Sequence, residues 1–289
     1  MLFLVRAVYF LLISMAKKSV KKTKKIGLAE TGTGGSRVTD ATKRKLASLS
    51  GNHCANPNCD KRLVDPNTYV DVGEAAHIVG GKKGAARFDP AMAHQQLNGI
   101  SNLLYLCANC HTMIDDDKEG KHYSVELLTK WKIQRERKDQ QLLSEGFSLL
   151  DFPELEKVTD WLLERTPSFH NHDPISDFRL IAIKNKIIKH DLSKESQHII
   201  SEACSRLDNV EQFIKERTLE NSIPPLLPDR LKAGVLIQYY GYLKSGQMGD
   251  ELFTSMVEYM RRGFIKYAEQ SASLAILVYF FEKCDIFSD

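Results

Sequence analysis

The stretch 106–117, LCANCHTMIDDD, sets two thiols and an imidazole in the order Cys107-x-x-Cys110-His111. Two chemistries use that spacing. A c-type haem is attached through such a pair of thiols and ligated by the histidine that follows. The same pair can instead be half of a tetrahedral zinc site, which then needs a second pair. That pair exists as Cys54-x4-Cys59 in CANPNC. Four thiolates brought together make a closed structural Zn2+ site, whereas a haem leaves CANPNC without purpose. A haem also needs an oxidising compartment and a distal ligand, for which the sequence offers no convincing source. The spacing therefore favours zinc, which would replace a large core here, because metal binding in a loop-rich stretch is folding free energy. The two remaining thiols, Cys204 and Cys284, stand alone in apolar stretches and read as buried core residues.

Between the two pairs lie the polar residues that carry reactive chemistry. His77 sits in GEAAHIVG, Asn102 in ISNLLYLC, and His111 directly after the last cysteine. An imidazole can take a proton from water near neutral pH. A divalent ion on phosphate oxygens stabilises the charge that develops when a phosphodiester is cut. The order His77, Asn102, His111, threaded between CANPNC and CANC, resembles the HNH endonuclease family over roughly residues 50 to 135. AAHI, SNLLYLCANCH and the following MID carry the resemblance. It implies a small ββα-metal fold around one catalytic metal, Mg2+ or Mn2+. It further implies His77 as general base, Asn102 as the residue fixing the loop around that base, and His111 as a metal ligand.

One position departs from the family pattern. The residue before the base, often Asp or His in the family, is Ala76 and cannot coordinate a metal. Asp115 follows His111 by four residues, so on a helix the two share a face. Glu74, three residues before His77, is the other candidate for the missing ligand. Asp116 and Asp117 read as solvated. Lys82, Lys83 and Arg87 in the Gly-rich loop after His77 are candidate DNA-backbone contacts. Lys130, Lys132, Arg135, Arg137 and Lys138 form a second basic stripe that could position phosphates without reading sequence. Ala76 also leaves open a zinc-stabilised nucleic-acid-binding module without catalysis. The literal string His170-Asn171-His172 falls in a linker and reads as chance.

The elements that must position these groups can be read only coarsely. The chain has 289 residues, 43% hydrophobic and 27% charged, with a net charge of +3, a composition typical of globular protein. Residues 17–25, KKSVKKTKK, hold six lysines and read as a disordered basic tail. Upstream, MLFLVRAVYFLLIS is broken by Arg6 and too short to span a bilayer; Met15 reads as the true start. VTDATKRKLASLSG reads as a helix with Thr39 or Asp40 as cap and Gly51 as stop. NTYVDV and GEAAHIV read as a hairpin, and the run from Leu103 as a turn into a short helix. Ser124 is expected to cap a long charged helix.

The expected architecture is α+β: a basic tail over 1–37, the ββα nuclease domain over 38–145, and a linker over 146–175. An all-α domain follows over 176–289. DFPE and RTPSFHNHDP mark the linker, and the segments after it show spacing near 3.6 residues. The apolar ending LAILVYFFEKC reads as either a buried element or a partner surface. ILVYFFEKCDIF faintly resembles C-terminal domains of anti-phage defence systems built around an ABC-type ATPase. That resemblance implies a cytoplasmic effector whose helical domain docks on such a partner, with no membrane involved.

Overall fold

A computed structural model describes residues 38–166, 182–219, 227–283 and 286–287. The lysine-rich tail, Met15, the His170-Asn171-His172 string and Cys284 lie outside the described residues. The described residues belong to one unit, built on two hydrophobic cores.

The smaller core surrounds a two-stranded antiparallel sheet. Helix α1 (Asp40–Leu49) is capped by Thr39, whose Oγ1 accepts from Thr42 N at 3.1 Å. Strand β1 (Gly73–His77) pairs with β2 (Leu103–Cys107), Gly73 opposite Cys107 and His77 opposite Leu103. A short helix α2 (His94–Leu97) and a 3-10 turn (Ile100–Asn102) lead into β2. Helix α3 (Ala108–Asp116) starts where β2 ends. Both α1 and α3 pack on the sheet.

Two readings of the sequence are corrected here. The partner of GEAAH is LLYLC and not NTYVDV, which contributes only an isolated bridge between Val64 and Asp71. Leu103–Cys107 is a strand rather than a turn. All five of its residues are buried, so it lacks the apolar–polar alternation that marks a half-exposed strand. The close approach of the strands also needs Gly73, because a Cβ there would lie 2.2 Å from the Tyr105 ring.

Helix α4 (Val125–Ser148), capped by Ser124, joins the two cores. Its first turns give Leu128 and Trp131 to the smaller core, and its end gives Leu143 and Phe147 to the larger. DFPE starts a helix rather than a hinge. Asp151 and Glu154 form a capping box, and Pro153 sits in the first turn of α5 (Phe152–Arg165), where its missing N–H costs nothing. Within the expected linker, Leu155, Val158 and Leu162 are thus fully buried.

The remaining helices are α6 (Ile183–Lys189), α7 (Lys194–Cys204), α8 (Leu207–Leu219), α9 (Leu227–Lys244), α10 (Gly249–Arg262) and α11 (Tyr267–Lys283). The C-terminal part is helical, and no helix among the described residues is long and apolar enough to cross a membrane. Helix α11 is the central element of the larger core, packed against α4, α5, α7, α8 and α10. Ile276, Leu277, Val278, Phe280 and Phe281 are buried, as are Ile286 and Phe287. Of the two readings of the apolar ending, its described residues take the first and are core. Cys204 is partly buried against the same core.

The cores are held together by polar contacts. Arg261 of α10 donates to Asp139 of α4 at 2.8 Å and to the Ser48 carbonyl at the end of α1 at 2.9 Å. Lys45 of α1 reaches Asp250 of α10 at 2.6 Å. Tyr69, in the loop before β1, accepts from Trp161 Nε1 at 2.8 Å.

Candidate active site and metal centres

The four cysteines of the two pairs converge. Their sulfurs lie within 4.8 Å of one another, with Cys59 and Cys107 at 4.0 Å, and none is in a disulfide. A tetrahedral zinc with Zn–S bonds of ~2.3 Å spaces its sulfurs ~3.8 Å apart, so the cluster is already close to the required size. Cys107 caps α3 and Cys110 lies in its first turn, where the helix dipole favours thiolates. N–H groups also point at sulfur: Asn56 Nδ2 donates to Cys110 at 3.3 Å, and the backbone of Cys107 and Asn56 serves Cys54. Burial pushes the thiols of Cys54 and Cys110 up. Burial works the same way on Cys107, but N–H and sulfur contacts outweigh it and hold that thiol below its ordinary value. On a metal the buried thiols of Cys54 and Cys110 would become thiolates, and the four clustered cysteines could hold zinc. The haem reading fails, because Cys107 and Cys110 belong to the four-cysteine cluster with Cys54 and Cys59.

Those carboxylates are the two candidates from the sequence. His111, near the start of α3, meets Glu74 of β1 through Nδ1 at 2.7 Å and Asp115 through Nε2 at 3.3 Å. The antiparallel register explains the first contact: Glu74 stands opposite Leu106, beside the β2–α3 junction. The helical repeat explains the second. Hydrogen bonding to Asp115, then to Glu74, raises the His111 pKa against the opposing effect of burial. The same contact with His111 lowers that of Asp115. The two carboxylates take opposite nitrogens, so the three side chains form a row rather than a closed cage. Oxygen donors with one imidazole suit Mg2+ or Mn2+, and the row is half-exposed, so an ion could enter. Ala76 is completely buried in the smaller core.

His77 ends β1, partly exposed, with Nε2 2.9 Å from Asn98 Oδ1. Asn102 is buried and bridges two backbone segments. Its Oδ1 accepts from Val79 N at 3.0 Å, and its Nδ2 donates to the carbonyls of Val79 at 3.0 Å and Leu97 at 2.9 Å.

Arg87 is the largest departure from the sequence reading. It is 8% exposed, with φ of +52°. Its Nε donates to the Ile78 carbonyl at 2.7 Å, Nη1 to the Ile114 carbonyl, and Nη2 to the His77 carbonyl at 3.2 Å. Asp115 lies 3.5 Å away. A buried guanidinium with this many internal partners is not free to meet a DNA backbone. Lys82 and Lys83 are exposed, as are Lys130, Arg137 and Lys138. Lys132 is buried against Glu136 at 2.5 Å, and Arg135 donates to Tyr267 Oη at 3.2 Å. Asp117 is not merely solvated: it accepts from the backbone N–H of Lys121, His122 and Tyr123 and shapes the turn before α4. Asn98 and the clamp role of Arg87 were missed by the sequence reading. Asn98 lies 21 residues after His77, so the sequence carried no signal for it; Arg87 was visible only as a charge in the Gly-rich loop after His77.

An antiparallel β-pair followed by a helix, closed by a cysteine cluster at the strand–helix junction, is the ββα-metal class of fold. Residues 50–118 match the family model described as HNH endonuclease (HNH_2), in agreement with this geometry. No curated protein matches the chain.

Proposed function

We propose that the chain is a metal-dependent endonuclease that hydrolyses phosphodiester bonds of DNA. The observation that carries this reading is the placement of His77 and the His111 row at opposite ends of β1, linked through Arg87. His77 ends the strand and Glu74 lies three residues back, about 10 Å along it. Asp115, one helical turn beyond His111, shares Arg87 with the His77 carbonyl. His111, with Asp115 or Glu74, would hold Mg2+ or Mn2+, which when bound offsets charge on the phosphate and the leaving oxygen. His77 takes a proton from water, the water oxygen bonds to phosphorus, and the scissile P–O bond breaks. The leaving oxygen is then protonated from solvent. Lys82 and Lys83 supply backbone contacts to DNA.

Buried Ala76 supports the alternative of a zinc-stabilised nucleic-acid-binding module without catalysis, since no ligand comes from that position. Plasmid nicking separates the two. Zinc-loaded protein with Mg2+ or Mn2+ should nick DNA, while His77→Ala and His111→Ala should lose roughly 100-fold or more. Cleavage by native protein no faster than by His77→Ala would leave only the binding module. We further infer a cytoplasmic anti-phage or restriction effector controlled by its helical part. The support is that α1 and α4 fasten the nuclease segment to that part, which suits control by a partner such as an ATPase.

A further inference from the structure

We propose that Asn98 is a positioning residue that fixes the tautomer of His77, so that Nδ1 and not Nε2 is the basic nitrogen. The proposal deepens the nuclease reading and rests on it for the role of His77. A neutral imidazole carries one N–H, and the partner of that N–H decides which nitrogen keeps its lone pair. Asn98 Oδ1 is an acceptor 2.9 Å from Nε2, so the proton resides on Nε2 and Nδ1 is left to receive one from water.

The backbone is arranged to hold this contact. Asn102 ties the Val79 segment, just beyond His77, to the Leu97 carbonyl, the residue before Asn98. Ile78 N also donates to the Asn102 carbonyl at 2.9 Å. The strand end that carries His77 and the loop that carries Asn98 are thereby pinned face to face. Arg87 also fixes this strand end, through the carbonyls of His77 and Ile78. The buried asparagine is thus scaffold, and the asparagine four residues earlier is the one that meets the base.

Two readouts on zinc-loaded protein test this. The first is the 15N signature of the His77 ring at pH 8, where an ordinary imidazole is neutral, assigned by its loss in His77→Gln. The expected result is the Nε2–H tautomer in native protein and a mixture in Asn98→Leu. The second is DNA cleavage. Asn98→Leu should lose about 100-fold in kcat, as for a base displaced by about 1 Å, with KM little changed. Asn98→Asp, which keeps an acceptor at the same place, should recover most of the rate. Zinc content and circular dichroism show whether each variant folds. An Nδ1–H tautomer in native protein overturns the proposal, as does a native kcat in Asn98→Leu or an Asn98→Asp as slow as Asn98→Leu. If His77→Ala cuts like native protein, the nuclease role of His77 fails instead, and the ring spectrum still tests Asn98.

Discussion

Arg87 and His77 are joined through the backbone: the guanidinium donates to the His77 carbonyl at 3.2 Å while its other nitrogens hold the carbonyls of Ile78 and Ile114. One side chain thus locks the end of β1 to the end of α3. The proposed base, His77, and the proposed metal ligand, His111, sit on different elements, and their separation is set by this clamp as much as by the strand pairing.

Arg87→Ala should therefore act on stability and geometry, and not on the electrostatics of DNA binding. It leaves buried carbonyls without donors, at a cost of about 3 kcal/mol. Urea unfolding of the zinc-loaded protein measures this. The salt dependence of DNA affinity should keep its slope, whereas loss of a true phosphate contact lowers it by about 0.9. Lys82→Ala and Lys83→Ala should show the reverse: native stability and a reduced slope.

The cysteine cluster predicts a bound zinc with sulfur ligands alone. X-ray absorption should find four sulfurs at ~2.3 Å and no nitrogen in the first shell. A nitrogen signal would mean that His111 or another imidazole replaces a thiolate. Cys107→Ser should lose the metal and the protection of residues 50–118 from proteolysis. The larger core contains none of the four cysteines, so most of the helical circular dichroism should survive.

What the sequence disclosed depended on how far each residue's chemistry is local. Cysteine pairs, the Thr39 and Ser124 caps, and the order His77, Asn102, His111 are legible because type and spacing carry their meaning. Strand β2 was not, because LLYLC is buried at every position and has no period to read. Arg87 was misread because a charge in a Gly-rich loop resembles a solvated one until the fold brings three carbonyls around it. Asp151 and Pro153 were taken for a break, although Pro in a first helical turn is also a start signal. Which carboxylate meets His111 depended on the strand register. That register puts Glu74 beside the helix start, while the helical repeat supplies Asp115, so both do.

The buried pair of Asp139 and Arg261 is the main polar joint between the cores, their side chains 3% and 2% exposed. Tyr267 Oη also donates to Asp139 at 3.0 Å, and Gln270 Oε1 accepts from Arg261. Asp139→Ala leaves the guanidinium buried without its counter-charge and should cost about 3–5 kcal/mol. The double variant Asp139→Leu with Arg261→Met should recover much of that loss, since an apolar replacement of similar size removes both desolvation penalties. A double variant no better than Asp139→Ala would show that the remaining bonds of Arg261, to Ser48 and Gln270, carry the joint.

Asp250 gives the same junction a pH dependence whose direction follows from its contacts. Burial alone raises its pKa. Lys45 at 2.6 Å, with Ser196 Oγ at 2.6 Å and the N and Oγ of Ser193, outweighs that effect and holds the carboxyl below its ordinary value. A carboxylate with a lowered folded-state pKa binds its proton more weakly when folded than when unfolded. Its contribution is therefore complete above the unfolded value, about 4, and is lost as pH falls through the lower folded value. Urea midpoints measured from pH 6 down to pH 3 should drop most steeply below about pH 4. Asp250→Asn should flatten that limb and lower the plateau above it. A limb unchanged by Asp250→Asn would assign the acid sensitivity to other carboxylates, and the Lys45 bridge would then contribute little to holding α1 against α10.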